Sequence, residues 1–388
     1  MKIAVVCGHF LPRLGYIEVH LAKALMREGH RVLVITSDAV PAYVGSLPRD
    51  GMEMEGVETV RLPKMFSLGQ IVVSREIRKE LRGFDPDFVI AVGLGKRFVW
   101  PVFDEKYPVL VLYGDNAYSH AQGGAFAKFK SRVLYNLFKR SVYRRAVGKA
   151  AIHVAYTPES FEVAGRALGG RAGEFLSRRD RFIHLGYWPD EFRYDENLRN
   201  QKREELGFDR DDVVVVTCGR ISREKDLGSV VPILGALPSN YKWLIVGGGD
   251  PAILADLDNA LKAELEPDRY RRTGHRSRSQ LNAYYCAGDI GLFTVPAISN
   301  IEAAGTGLPL ILPPTGSLSA LREWGFCRGD WAGENEDKAD AIRHADVNGN
   351  ERKRLGELAA EKLSWPVQAK TLIGWMVDKL SSEKRTSD

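Results

Sequence analysis

Hydrophobic and polar positions follow two rhythms along this chain. Short, nearly continuous apolar runs alternate with longer stretches whose apolar residues recur three and four apart. In the first half "KIAVVC", "RVLVIT", "VETVRL", "DFVIAV", "PVLVLY" and "AIHVAYT" read as strands, and Ile17 to Glu28 is one of the helical patterns between them. Continuous apolar runs suit strands covered on both faces, so the alternation predicts parallel sheets flanked by helices. After "RFIHLGYWPDEF" the pattern starts again, with "DVVVVTC", "KWLIVGG", "YRRTG", "DIGLFTV" and "LPLILPP" as five further strands. Two such runs predict an α/β protein of two doubly wound domains, over 1–190 and 191–365, joined near residues 187–195. The last amphipathic pattern, Trp365 to Leu380, fits either domain, and a helix over 366–382 is expected to pack back on the first. Only the tail "SSEKRTSD" reads as disordered.

Composition narrows the class. At 388 residues, 44% hydrophobic and 27% charged, the chain is long enough for two cores and falls in the globular range. The apolar run in "MKIAVVCGHF" is too short for a signal peptide, and no stretch approaches the ~20 apolar residues of a membrane span. Cys7, Cys218, Cys286 and Cys327 are scattered without a Cys-x-x-Cys pair, which predicts reduced, buried thiols in a cytoplasmic protein. Net charge is a mild +5, but Phe126 to Lys149 holds eight Lys or Arg and no acid. Its apolar residues stand at helical spacing, so it reads as a basic amphipathic helix for an anionic membrane surface, or as a stripe packed on the sheet with a solvated basic face. No nucleic-acid recognition module is apparent.

Ligands of open α/β sheets bind outside the carboxyl ends of the strands, so the candidate chemistry is sought there. Gly8 and Gly15 bracket the loop after the first strand, but they are not a Gly-x-Gly-x-x-Gly fingerprint. "VGGGDPA" does match Gly-x-Gly-x-x-Ala through Gly247, Gly249 and Ala252, yet it follows the second strand of its domain rather than the first. Arg220 lies just past a buried strand and Lys225 five residues on, where a helix begins. Two cations and a helix start suit a diphosphate; the alternative is a solvated face in which Arg223 and Glu224 pair with them. Gly274, His275 and Arg276 follow another strand, where backbone could read a nucleobase. In "PAISNIEAAGTGLPLIL", Ser299 and Glu302 have capping-box spacing, which leaves open whether Glu302 closes a helix or faces a ligand. The Asp-x-Asp pairs Asp85/Asp87 and Asp256/Asp258 lie at the wrong strand end and on opposed helix faces, so no metal site is expected.

In order and approximate spacing, "GRISREKDLGSVVPILGAL", "WLIVGGGD", "TGHRSRSQLNAYYCAGDIGLF" and "IEAAGTGLPLIL" resemble the GT-B glycosyltransferases, specifically the retaining family 4 that uses nucleotide-sugar donors. "HLGYWPDEFRYDENLRNQKREELGF" is similar to that family's interdomain link, and "FLPRLGYIEVHLAKALMREGHRVLVIT" to its N-terminal loop and first helix. The resemblance implies two Rossmann-like domains facing each other across a donor cleft. It implies that Arg220 and Lys225 clamp the donor diphosphate and that Glu302 binds the ribose. It further implies that the segment at Gly274, His275 and Arg276 holds the base and that Gly15 lets the N-terminal loop approach the phosphates. Two departures stand out. Tyr16 occupies the family's second glycine. Thr294 stands where its first glutamate is expected, beside a loop about six residues short. The short loop puts Ser299 and Asn300 at a helix start that would meet the diphosphate. Asp115 and His120, after "VLVLYGDNAYSH", are the ionisable candidates for the acceptor hydroxyl, or else a turn Asp and a loop His.

The function these readings imply is metal-independent, retaining transfer of a sugar from a nucleoside diphosphate to a glycan, glycolipid or small-molecule acceptor hydroxyl. No cofactor is expected, and the setting would be the inner face of the membrane or cell-envelope assembly. Two rivals are a catalytically silent nucleotide-sugar-binding subunit and a non-transferring GT-B enzyme such as a nucleotide-sugar 2-epimerase, whose Gly-Thr-Arg-Pro signature is not seen here.

Overall fold

The computed structural model describes residues 1–12, 15–38, 54–63, 66–68, 71–74, 76–94, 97–114, 136–345 and 349–385. Contacts divide the chain into two compact units, Met1–His184 with Trp365–Asp388, and Leu185–Ser364.

The first unit runs β1 (Lys2–Cys7), α1 (Ile17–Arg27), β2 (Arg31–Ser37), β3 (Glu58–Leu62), the pair β4 (Phe66–Leu68) and β5 (Ile71–Val73), and α2 (Ile77–Phe84). It continues through β6 (Phe88–Val92), β7 (Val109–Tyr113), α3 (Asn136–Lys149), β8 (Ile152–Ala155), α4 (Pro158–Leu168) and α5 (Gly170–Ser177). Its six-stranded sheet has the order β3-β2-β1-β6-β7-β8, all parallel. The strands are apolar on both faces because helices cover both, as five consecutive buried residues in β6 and in β7 illustrate. The C-terminal helix, Trp365–Arg385, belongs to this unit and lies against α1, with the His20 ring stacked on Trp365 at 5.3 Å.

The second unit repeats the scheme. Its elements are α6 (Glu196–Leu206), β9 (Val213–Cys218), α7 (Val231–Gly235), β10 (Tyr241–Val246), α8 (Pro251–Glu264), β11 (Tyr270–Arg272) and α9 (Arg278–Ala287). After them come β12 (Ile290–Leu292), α10 (Ile298–Gly305), β13 (Leu310–Leu312), α11 (Ser319–Glu323), β14 (Cys327–Asp330), α12 (Asn335–Arg343) and α13 (Gly349–Leu363). The sheet order is β11-β10-β9-β12-β13-β14, again parallel. In both units the strand order reverses beside the first strand, at β1/β6 and at β9/β12, and these are the switch points where such sheets bind ligands. Buried Arg352 donates to the carbonyls of Thr306, Gly288 and Tyr285, tying α13 to the ends of α9 and α10.

The eleven strands read from the sequence are all present, and three elements were not foreseen. β14 alternates half-buried and exposed residues at a sheet edge and so carries no apolar run. β4 and β5, three residues each, are too short to show a period. Of the basic segment from Phe126, only 136–149 is described. There the stripe Val142, Tyr143 and Ala146 is buried in the core of the first unit, and Arg145 pairs with Asp104. That stripe packs in the core of the first unit, as the second of the two readings expects for these residues. Among the described residues no helix is long and apolar enough to cross a membrane. Among the described residues no disulfide joins the cysteines; Cys7, Cys218 and Cys286 are buried, whereas Cys327 is half-buried on the edge strand.

Candidate functional site

Of the site residues read from the second half, Arg220, Lys225 and Ser299 lie past the carboxyl ends of β9 and β12, while Gly274, His275 and Arg276 follow β11. Past β9 the chain turns through Gly219, whose φ of 122° is a backbone conformation that favours glycine. A Cβ there would stand 2.6 Å from Lys225 Nζ and 3.7 Å from Ser299 Oγ, so the ammonium and the hydroxyl converge on this glycine. Lys225 ends a short 3₁₀ turn, Arg223–Lys225, followed by Asp226 in left-handed conformation at φ 42°. Thr294, past β12, fixes that turn by donating its hydroxyl to the Lys225 carbonyl at 2.5 Å.

Lys225 makes no ion pair among the described residues; its Nζ donates only to the Cys218 carbonyl, at 3.4 Å. Burial pushes the ammonium below its usual pKa. Ser299 is 6% exposed and its hydroxyl has no hydrogen-bond partner among the described residues. A hydroxyl left buried and unpaired costs about 1–3 kcal/mol, and an unpaired buried cation costs more. Arg220 stands exposed on the same loop, also without an ion pair among the described residues. Arg223 and Glu224 pair with neither cation. Positive charge and a hydroxyl donor are therefore gathered on one loop and helix start.

The helix that carries Ser299 begins two residues earlier than its sequence suggests. Ala297 is the N-cap, and Asn300 Oδ1 accepts from the Ala297 N–H at 2.6 Å. The Ser299–Glu302 capping box is therefore corrected: with Ile298 as the first helical residue, Asn300 holds the third position and closes the end. Asn300, fully buried, also donates its Nδ2 to the Val295 carbonyl at 3.5 Å, so both ends of its amide are bonded within this helix start.

Glu302, freed from capping, is 3% exposed and pairs with Arg278 Nη1, while Arg278 Nε reaches Glu191 Oε2 at 2.7 Å. Burial pushes the Glu302 carboxyl up and Arg278 opposes that shift. This Glu191–Arg278–Glu302 chain was missed in the sequence. Its signal was Ser277–Gln280, a capping box that starts α9 at Arg278 and aims that residue inward.

The Gly-rich stretch after β10 has a packing reason. A Cβ on Gly247 would lie 2.0 Å from the Gly219 carbonyl oxygen, and one on Gly249 2.2 Å from that of Ile221. The bonds Gly219 N–Val246 O (2.9 Å) and Ile221 N–Gly248 O (2.8 Å) extend the ladder past the strands, so these glycines let two backbones touch. His275 is exposed and lies against Gly248, where a Cβ would be 3.3 Å from its own. Gly274, at φ 69°, has open space on its Cβ side. Arg276 turns elsewhere: it lines a cavity of about 440 Å³ between α6 and α9 with Tyr284 and Lys202.

In the first unit, Gly15 has φ 59°, and a Cβ there would meet His20 Nε2 at 3.1 Å. Tyr16 is extended (φ −69°, ψ 164°), a conformation any residue adopts, so its departure from glycine carries no backbone cost. Asp115 and His120 lie outside the described residues. The Asp-x-Asp acids are engaged structurally: Asp87 accepts from Lys2 N, Asp85 from Tyr107 and Asp258 pairs with Arg272. Among the described residues no cluster of three His, Cys, Asp or Glu could hold a metal.

No family model matches the sequence. Over 221 residues, 55% of this chain, it is 28% identical to TuaC of Bacillus subtilis (strain 168), a protein assigned to teichuronic acid biosynthesis as a glycosyltransferase. That match spans 48% of the relative's length, about half of it. Among solved structures, sucrose-phosphate synthase from Thermosynechococcus elongatus superposes with a TM-score of 0.69 at 17% identity, over 98% of this chain and 99% of that one. Anabaena Alr3699/HepE, solved in complex with UDP, gives 0.70 at 16% identity over 98% and 100%. These neighbours are GT-B proteins, and the chain has the GT-B fold.

Proposed function

We propose that this chain transfers a glycosyl group from a nucleoside-diphosphate sugar to an acceptor hydroxyl, with retention at the anomeric carbon and without a metal. The observation that carries the reading is the convergence of Lys225 Nζ and the unpartnered Ser299 hydroxyl on Gly219, at the switch point β9/β12. A diphosphate supplies what both groups lack, a counter-charge for the ammonium and an acceptor for the hydroxyl. As the sugar departs, negative charge grows on the leaving phosphate, and Lys225, Arg220 and the start of α10 stabilise it in place. Preorganised charge of this kind is commonly the largest catalytic term. Glu302, with Arg278 behind it, takes the ribose hydroxyls, and His275 with Gly274 flanks the base. Structures of HepE with UDP and with UDP-glucose support a nucleotide-sugar donor for this fold.

The finer reading places the reaction in cell-envelope glycan or glycolipid assembly at an anionic inner membrane face. The exposed Arg144 and Lys149 of α3 would be part of that contact. The silent binding subunit keeps one observation in its favour. Thr294, where a sugar-contacting glutamate is expected, has its hydroxyl committed to Lys225.

A thermal-shift screen against UDP, GDP, ADP and their sugars tests the donor. At a hundred times its dissociation constant, a ligand of the folded state adds about 2.7 kcal/mol. Turnover is then read as sugar release from the donor that binds. Arg220→Ala should lose about 2–4 kcal/mol of barrier stabilisation, by analogy with removal of an oxyanion donor. Unchanged turnover in that variant removes the clamp, and binding without turnover in the wild type selects the silent subunit.

A further inference from the structure

A cavity of about 230 Å³ opens in the first unit at the amino end of β8, the edge strand of its sheet. Val147 of α3, Ala150 and Phe175 of α5 give it an apolar side, and His153, Arg179, Asp180 and Arg181 give it a polar one. The turn that carries the arginines is pinned to the edge strand, since the Ala155 N–H donates to the Arg181 carbonyl at 3.1 Å. Arg179 lies over the Phe175 ring at 4.2 Å and donates its Nε to the Phe175 carbonyl at 3.2 Å, which leaves its two Nη groups for a ligand. Arg181 lies 5.8 Å from the Trp375 ring. Among the described residues neither guanidinium forms an ion pair, and Asp180 is the one carboxylate on the cavity wall.

His153 is the buried member of the set, 6% exposed. Its Nδ1 lies 3.1 Å from the hydroxyl of Tyr113 on β7. Burial keeps that phenol protonated, and it has no other acceptor among the described residues, so it donates and Nδ1 accepts. In the neutral ring the proton then sits on Nε2, which has no partner among the described residues. Burial, and then the charges of Arg179 and Arg181, hold the imidazole down at about 4, so at neutral pH it is an uncharged N–H donor. Asp180 works against any anion here, and two guanidiniums outweigh it. Their planar forks match the oxygens of a phosphate, and a tetrahedral group has an oxygen for each of the three donors. At ~30 Å³ for each water displaced, the space takes about eight water volumes, which is room for one phosphoryl group.

We propose that this cavity binds a phosphate group, free in solution or on a lipid headgroup, held by Arg179 and Arg181 with His153 Nε2 as its buried donor. The site is separate from the transfer reaction, since it lies at the opposite end of the strands from the Gly15 loop.

Calorimetric titration of the full chain with inorganic phosphate, at an ionic strength held constant with chloride, tests it. Binding should be saturable. Arg179→Gln and Arg181→Gln, both at exposed positions, should each weaken it about 10-fold, the worth of a charge-assisted hydrogen bond discounted for solvent. Proton NMR locates the ion: the His153 ring signal should move with phosphate, and its titration midpoint should climb from about 4, because a bound anion favours the imidazolium. The titratable groups around that ring are Tyr113 from β7 and Arg179, Asp180 and Arg181 from the turn, while α3 and α5 face the cavity with Val147 and Phe175. Absence of saturable binding, or affinity untouched by both arginine variants, overturns the site. Binding that Lys225→Gln abolishes and the arginine variants leave intact belongs to the donor site and overturns this one too. Vesicles of phosphatidylcholine doped with phosphatidate separate the two sources. Sedimentation lost in the double variant Arg179→Gln with Arg181→Gln places the phosphate on a headgroup; phosphate binding without such sedimentation makes the soluble ion the ligand.

Discussion

Replacing Arg278 by Met should strand a buried carboxylate, and its cost follows from the geometry. Glu302 is 3% exposed, and Arg278 is its only ion-pair partner among the described residues. Breaking a buried pair by removing one partner typically costs about 3–5 kcal/mol, because the survivor keeps its desolvation penalty. The Arg278 side chain is 36% exposed, so solvent screens part of the interaction. We therefore expect about 2–3 kcal/mol at neutral pH. The pH dependence has a definite sign. Burial raises the Glu302 pKa in the folded chain, and Arg278 partly offsets that rise. The native state therefore binds more protons than the unfolded one, and stability falls as pH rises from the unfolded carboxyl pKa through the folded one. Without Arg278 the folded pKa climbs further, so the loss should be small near pH 4.5 and grow toward neutrality. Other charged or titratable groups close to this carboxylate are Glu191, Tyr285 and Cys218, none of them a cation that could replace the arginine. Denaturant unfolding of wild type and variant across pH 4.5–8 measures it. A difference under about 1 kcal/mol, flat across that range, would refute the argument. The double variant Arg278→Met with Glu302→Gln should regain much of the loss, since no charge is then left buried.

Other substitutions probe the surrounding frame. Gly249→Ala pushes a methyl against the Ile221 carbonyl, 2.2 Å away, and should cost about 1–3 kcal/mol or more in unfolding while loosening the Arg220 loop. Asn300→Ala removes the cap of α10 and leaves the Ala297 N–H unpaired; about 1–2 kcal/mol is expected, whereas Ser299→Ala, which removes an unpartnered hydroxyl, should be close to neutral in the free protein. Sedimentation with anionic vesicles should show salt-sensitive association that weakens when Arg144 and Lys149 become Gln. Association that survives high salt would point to an apolar face, which the buried stripe of α3 does not offer.

How far the sequence could be read depended on whether a feature is local. Strands buried on both faces announce themselves as apolar runs, so eleven strands and the doubled pattern were legible, while a polar edge strand such as β14 was not. The place of Lys225 beyond a buried strand was legible, but the helix expected to begin there is a 3₁₀ turn that Lys225 ends. What remained invisible is what the third dimension decides. Ser299 and Glu302 looked like a capping pair because their spacing is right, yet two residues of register hand the cap to Asn300 and turn Glu302 toward Arg278, 24 positions away. The same shift explains why Arg276 and Arg278, two residues apart on "HRSRSQ", part company. One precedes the cap at Ser277 and lines an outer cavity; the other opens α9 and meets the buried acid. A helix start fixed to the residue therefore decides which guanidinium belongs to the site. Thr294 makes the complementary point. Read as a missing glutamate it argued for lost chemistry; in place it holds the turn that aims Lys225, a role that no spacing rule assigns.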